Sequence, residues 1–447
     1  MIKKRLLSVL LATGFLFSLA GCDITDIQDT AQSQEIERTQ EFTKEEEQEF
    51  HQSDVTEIEN KDKLTKEEQK EFENNYQNFA VNLLKESRKN ADTKENIMIS
   101  PLSVLTALTM TENGAKGETL TQMEQVLATG KNMEQQNKAL VHYINSLSNS
   151  EKVRLNQANS IWFNTANLDF QVKESFLEKN KESYQADIFR KDFTEHTKEE
   201  INQWVNNETN EMIPQILDKI PDEAIMYLIN AIAFEGEWEE VYKGNNVWER
   251  DFDNGEEISK VSMMFSEETK FVEDENTTGF LKPYKDGYEF LALLPKEGIS
   301  IDEYLEGLTG EKLQRMLENM IDTNIQVHAG IPKFSSDFSI ELSDSLKNMG
   351  MELAFDQQKA DFSGIGTVEG GKNLFIGRVL HKTHISVYEE GTKASASTIV
   401  EIALGAVRPD EKIRMESVIL NRPFLYAIVD KESRLPVFLG VTDSIKE

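Results

Sequence analysis

Apolar residues set the rhythm of this chain from about Leu64 onward. Phe72, Tyr76, Phe79, Ala80, Leu83 and Leu84 recur at three- and four-residue steps, the spacing of one helix face. Ile97 to Ile99 is a short apolar run. Ser100-Pro101-Leu102-Ser103 then opens a helix, with Ser100 as its cap, Pro in the first turn and apolar positions continuing to Met110. The same spacing predicts helices near Thr119–Leu127, Asn132–Leu147, Val172–Tyr184 and Glu199–Asn210, and another over Asp337–Met349. Strand-like runs fall at Ala224–Phe234, Phe271–Lys282, Tyr288–Leu294, Ile325–Lys333, Leu380–Tyr388, Val418–Leu420, Phe424–Val429 and Val437–Val441. The last two, split by Asp430-Lys431-Glu432-Ser433, read as a buried hairpin. Helices come first and strands later, without βαβ alternation or internal repeat, so the expected fold is α+β in one large domain.

One stretch alternates strictly. Thr392, Ala394, Ala396, Thr398, Val400, Ile402 and Leu404 are small or apolar, while Lys393, Ser395, Ser397, Ile399, Glu401 and Ala403 between them are mostly polar. That is the mark of a strand with one buried face. At ~3.3 Å per residue, the run from Thr392 to Gly405 would reach roughly 46 Å. Gly405 to Lys412 then turns loop-like, with Gly405, Pro409 and Asp410.

The first 66 residues follow another logic. Lys3, Lys4 and Arg5 precede an apolar stretch, Leu6 to Leu19, too short for a comfortable membrane span. It ends in Leu19-Ala20-Gly21-Cys22, which resembles the lipobox of bacterial lipoproteins. The resemblance implies a signal peptide over residues 1–21, cleavage before Cys22, and acylation there by enough chains for lasting attachment. Between Cys22 and Asn60 stand thirteen acidic and two basic residues, a net of −11, with few large apolar side chains. Such a segment cannot bury enough surface to offset ordering entropy and repels itself into extension. Residues 22–66 are therefore expected to be a tether, and 67–447 a domain held outside the cytoplasm at a membrane surface.

Charge and composition narrow the chemistry. Lys and Arg number 48 against 80 Asp and Glu, a net of −32 over 447 residues, which opposes nucleic-acid binding. A single cysteine excludes an internal disulfide and any Cys-rich zinc site. Gly366 to Asn373 approaches a phosphate-binding loop, but Asn373 stands where Ser or Thr should hold Mg²⁺, and a Gly-rich turn is the simpler reading. His381 and His384, three apart on a strand, face opposite sides and cannot share a metal ion. There is no G-x-S-x-G elbow and no H-E-x-x-H pair. No cofactor, metal or enzymatic activity is expected.

From about Glu71 to its end the chain resembles a serpin. Glu389-Glu390-Gly391-Thr392-Lys393-Ala394-Ser395-Ala396-Ser397-Thr398 is similar to the hinge at the base of that family's reactive-centre loop. Ile99-Ser100-Pro101-Leu102-Ser103 is similar to the opening of the helix beneath the central sheet. The stretch from Leu228 to Trp238 resembles a central-sheet strand, N-x-I-x-F-x-G-x-W, and Asn421-Arg422-Pro423-Phe424 with Pro436-Val437-Phe438-Leu439-Gly440 resembles the C-terminal signature. Weaker echoes are Val261 to Phe265 and Ile331-Pro332-Lys333-Phe334.

The resemblance implies helices packed around a large central sheet and further sheets, with an exposed loop over about 389–415. It implies suicide inhibition: a serine, sometimes cysteine, protease attacks the loop, and the freed hinge inserts into the central sheet with the protease still attached. By the same resemblance Ser100, Ser103, Asn230 and His381 form the polar shutter beneath the sheet, and Trp238 and Glu389 stand where insertion begins. Glu235 and Glu237 depart from the family, which often has cations there, so an ion pair at that place is in doubt. Counting from Glu389 sets the scissile bond at Gly405-Ala406, with Leu404, Arg408 and Lys412 as alternatives. Leu404 or Gly405 suits an elastase- or subtilisin-like protease. The expected state is a monomer. Two other readings stay open: a non-inhibitory serpin acting as a carrier or chaperone, and a lipid-anchored solute-binding protein.

Overall fold

A computed structural model describes residues 64–91, 96–128, 132–166, 170–221, 224–368, 373–392 and 413–445. Cys22 and the segment 393–412, with Ala394, Ala396, Thr398, Leu404, Gly405, Ala406, Arg408 and Lys412, lie outside the described residues.

Helix α1 (Lys66–Asn90) starts at a capping box: Thr65 accepts the Glu68 N–H on its hydroxyl, and the Glu68 carboxylate accepts the Thr65 N–H at 2.8 Å. Its buried face is the Phe72, Tyr76, Phe79, Ala80, Leu83, Leu84 set. After strand β1 (Ile97–Ile99) comes α2 (Pro101–Glu112), capped by Ser100 and buried around nearly its whole circumference. Its Thr106, Thr109 and Thr111 hydroxyls donate to the carbonyls four residues earlier, which lets a helix with polar residues be buried, and α2 runs beneath the central sheet. Helices α3 (Gly117–Ala128), α4 (Met133–Ser146), α5 (Glu174–Tyr184), α6 (Glu195–Glu208), α7 (Ile301–Gly307), α8 (Gly310–Glu318) and α9 (Ser343–Asn348) complete the helical set among the described residues.

The strands are β2 (Val153–Asn164), β3 (Phe170–Val172), β4 (Asp187–Lys191), β5 (Met226–Glu237), β6 (Val247–Asp253), β7 (Ile258–Glu268), β8 (Phe271–Glu273), β9 (Thr277–Pro283), β10 (Tyr288–Pro295), β11 (Ile325–Pro332), β12 (Phe334–Glu341), β13 (Gly366–Val368), β14 (Leu380–Val387), β15 (Gly391–Thr392), β16 (Arg414–Ile419), β17 (Phe424–Asp430) and β18 (Pro436–Thr442). They form one six-stranded sheet in the order β12-β14-β15-β5-β2-β4, a second in the order β1-β18-β17-β10-β9-β8, a four-stranded sheet β16-β11-β7-β6, and the pair β13-β3. The expected hairpin is β17–β18, antiparallel and buried throughout.

The first sheet is covered on both faces. Ile232 and Phe234 of β5 face the main core, while Ile229, Ala231 and Ala233 pack with Trp162 of β2 against Ile201 and Val205 of α6. Alternate residues of β5 thus serve two separate apolar clusters, as the two-residue strand period requires.

Two expectations change. Asp337–Met349 is not one helix: Phe334–Glu341 is strand β12, paired antiparallel with β14, and only Ser343–Asn348 is helical. Phe334, Phe338, Leu342 and Leu346 are all buried at steps of four, a spacing that fits a helix face and a strand face alike. The chain is also not free of βαβ connection, since β2 and β4 are parallel and α5 lies between them in sequence. Gly366 to Val368, the start of the Gly-rich run, is strand β13 paired with β3, and 369–372 lie outside the described residues.

Candidate functional site: a partly occupied strand position

Strands β5 and β14 flank a position in the β12-β14-β15-β5-β2-β4 sheet that, among the described residues, is occupied by β15. Gly391 pairs with Glu237 and Thr392 with Gly236 on one side, while Thr392 pairs with Val387 on the other. Among the described residues no ladder joins β5 directly to β14, although β5 runs twelve residues and β14 eight. A Cβ on Gly391 would sit 2.0 Å from the Gly236 carbonyl oxygen, so only glycine permits this approach.

Residues at the end of β5 hold the chain as it turns into that position. The Trp238 N–H donates to Glu390 O and its indole Nε1–H to Tyr388 O, while the Tyr242 N–H donates to Glu389 O, each at 2.9 Å. The Glu389 carboxylate pairs with Lys333 Nζ at 2.9 Å. Thr392 is 1% exposed, and its hydroxyl lies 2.7 Å from the Tyr284 hydroxyl. Burial pushes the Tyr284 phenol far above its ordinary range, so it keeps its proton. Tyr284 in turn stacks on Trp238, centroids 4.3 Å apart and planes 15° from parallel. Thr392, the first residue of the alternating run, is buried here, and the residues that follow it lie outside the described ones.

The doubt over Glu235 and Glu237 resolves in part. Glu237 is paired with Lys152 at 2.8 Å and Lys285 at 2.5 Å, so the cations come from neighbouring segments. Partial desolvation opposes its charge, but the two lysines outweigh that and hold its carboxyl below the usual range.

Lower in the sheet a second cluster brings Ser100, Ser103, Asn230 and His381 together. The Ser100 N–H donates to His381 Nε2 at 3.0 Å, and the Ser100 hydroxyl donates to Val437 O at 2.8 Å while accepting the Ser103 N–H. The Asn230 side-chain amide donates to Asn159 Oδ1 at 2.7 Å. Its own Oδ1 is buried with no hydrogen-bond partner among the described residues. The Thr383 hydroxyl, one turn of the pleat from His381, donates to Met98 O at 2.7 Å. His381 is 5% exposed, and burial lowers its pKa to about 4. It is therefore neutral near pH 7, with the proton on Nδ1, because Nε2 accepts from Ser100. β1, α2, β5, β14 and β18 all meet at this cluster.

His384 lies on the opposite face from His381, as the strand period requires. Its Nδ1 bonds Asp337 at 2.8 Å and its Nε2 bonds the Ser386 hydroxyl at 2.9 Å, a serine–histidine–aspartate chain laid across β12 and β14. Ser386 is only 4% exposed on a closely packed ladder, so the chain ties two strands rather than presenting a nucleophile. Sequence reading missed Tyr284, Tyr242 and Asn159. Lys333 lies in Ile331-Pro332-Lys333-Phe334, and nothing near it in sequence points to Glu389 as its partner.

A family model described as "Serpin (serine protease inhibitor)" matches residues 74–444. A leukocyte elastase inhibitor of Xenopus laevis is 31% identical over 379 residues, covering 81% of this chain and 96% of its own. The crystal structure of a thermophilic serpin, tengpin, in its native state superposes with a TM-score of 0.78 at 44% identity, over 86% of this chain and 95% of its own. Tengpin in its latent state gives 0.74 at 43% identity, over 86% and 99%. The large sheet, the helix beneath it and the C-terminal hairpin make an α+β fold of the serpin type. The chain belongs to the serpin family.

Proposed function

We propose that this protein inhibits serine proteases as a suicide substrate. The protease cleaves the loop beyond Thr392, and the freed hinge continues into the sheet between β5 and β14. The supporting observation is the strand position itself: Gly391 and Thr392 occupy its top, and the alternation that begins at Thr392 runs on in sequence to Leu404. The small inward residues Ala394, Ala396 and Thr398 would pass between packed strands with little repacking. Each new ladder bond is worth ~0.5–1.5 kcal/mol net against ~1–2 kcal/mol of backbone entropy per residue. The balance turns on burying Val400, Ile402 and Leu404 at ~1.5–3 kcal/mol each. The uninserted form is then held kinetically. Glu389, Glu390 and Gly391 act as the hinge base, and Ser100, Ser103, Asn230 and His381 as the shutter that opens and recloses.

The bond we assign is Gly405-Ala406, matched to an elastase- or subtilisin-like enzyme, and the protein acts as a monomer outside the cytoplasm, anchored through acylated Cys22. Incubation with elastase, subtilisin and trypsin tests the central reading. A protease complex that survives hot SDS is expected with at least one of them. Loop cleavage without a complex would make the protein a substrate and overturn inhibition, and mass analysis of the released C-terminal peptide locates the bond.

A further inference from the structure

A buried lysine sits directly behind the residues that hold the hinge. Lys282 of β9 is 2% exposed, and its Nζ donates to Glu268 of β7 at 3.0 Å. The Glu268 carboxylate also accepts the Ser266 hydroxyl at 2.6 Å, and that hydroxyl lies 3.3 Å from the Tyr242 hydroxyl. The lysine cation lies 4.5 Å from the centre of the Tyr242 ring and 5.5 Å from that of Trp238. One desolvated charge therefore packs against both residues whose N–H groups grip the chain at 388–390. Trp238 in turn stacks on Tyr284, which meets Thr392.

We propose that Lys282 is a positioning residue for loop insertion: paired with Glu268, it braces the Trp238 and Tyr242 rings so that Tyr388, Glu389 and Glu390 stay in register for the strand to extend. The inference rests on the insertion reading given above. Burying a lysine is unfavourable in itself, and its attraction to one carboxylate offers no net advantage over a pair of well-packed apolar side chains. A cation held against two aromatic faces in a dry site does something an apolar side chain cannot, because the attraction is to the ring faces and orients them.

The test is the double variant Lys282→Met/Glu268→Gln in the full-length chain, which removes both charges together and leaves no unpaired buried ion. Its melting temperature is expected to stay within a few degrees of wild type. Its stoichiometry of inhibition, the number of inhibitor molecules consumed per protease trapped, is expected to rise by up to about tenfold, because cleavage outruns a misaligned insertion. That ratio reports the partition between insertion and release, which a core-filling role would not move. Tyr242→Leu keeps the ion pair and removes one ring, and is expected to raise the ratio in the same direction. Unchanged ratios in both variants would overturn the brace while leaving inhibition intact. A wild-type protein that traps no protease would instead overturn the reading beneath it.

Discussion

Neutral His381 makes the sheet sensitive to acid in a way that can be worked out from its position. Burial moves its pKa from 6.5 to about 4, so the folded state favours the uncharged ring. That preference is fully expressed above pH 6.5 and is lost as the pH falls from 6.5 toward 4. The full difference corresponds to about 3 kcal/mol, of which about 2 kcal/mol is gone by pH 5. The structural cause is direct. A protonated ring presents an N–H at Nε2 to the Ser100 N–H, setting donor against donor where the acceptor had been. Denaturant unfolding of wild type and His381→Gln between pH 7.5 and 5 isolates the effect. The glutamine is uncharged and can offer an oxygen to the same N–H, and the protein's many carboxylates titrate in both proteins alike. Wild type is expected to lose about 2 kcal/mol more than the variant over that range. Parallel curves would refute the claim that a buried neutral imidazole closes the lower cluster.

Two further substitutions probe the same sheet. Thr392→Arg places a charge in a position that is 1% exposed, against the Tyr284 hydroxyl, and is expected to convert the inhibitor into a substrate, read as loop cleavage without a stable complex on a denaturing gel. Efficient complex formation by that variant would mean the inward face has been assigned wrongly. Ser100→Ala removes the α2 cap and the bond to Val437 O, and is expected to cost ~1–2 kcal/mol in thermal or denaturant unfolding.

Much of this arrangement was legible in the residues. The capped start of α2, the C-terminal hairpin and the inward parity of Thr392 follow from cap chemistry and strand period alone, because each depends on neighbours in sequence. Strand β2 was hidden by its own polarity: Asn156, Gln157 and Asn159 interrupt its apolar pattern, and Asn159 is there to meet Asn230 across the ladder. β12 carries a helix-like spacing because buried residues four apart satisfy both periods. Lys282 lies in Phe280-Leu281-Lys282-Pro283, where β9 is buried on both faces, so alternation carries no information about which way the lysine points. Its partner Glu268 is fourteen residues away on another sheet, and no local spacing links them. The same holds for Lys333 and Glu389, joined only by the fold.

The measurement that bears most directly on the whole account compares melting curves before and after a single nick in the loop, made with catalytic amounts of a protease that is not itself trapped. A loop able to complete the sheet between β5 and β14 predicts that the nicked protein, both fragments still associated, melts well above the intact one. Equal or lower melting after the nick would contradict insertion, and with it the proposed mode of inhibition.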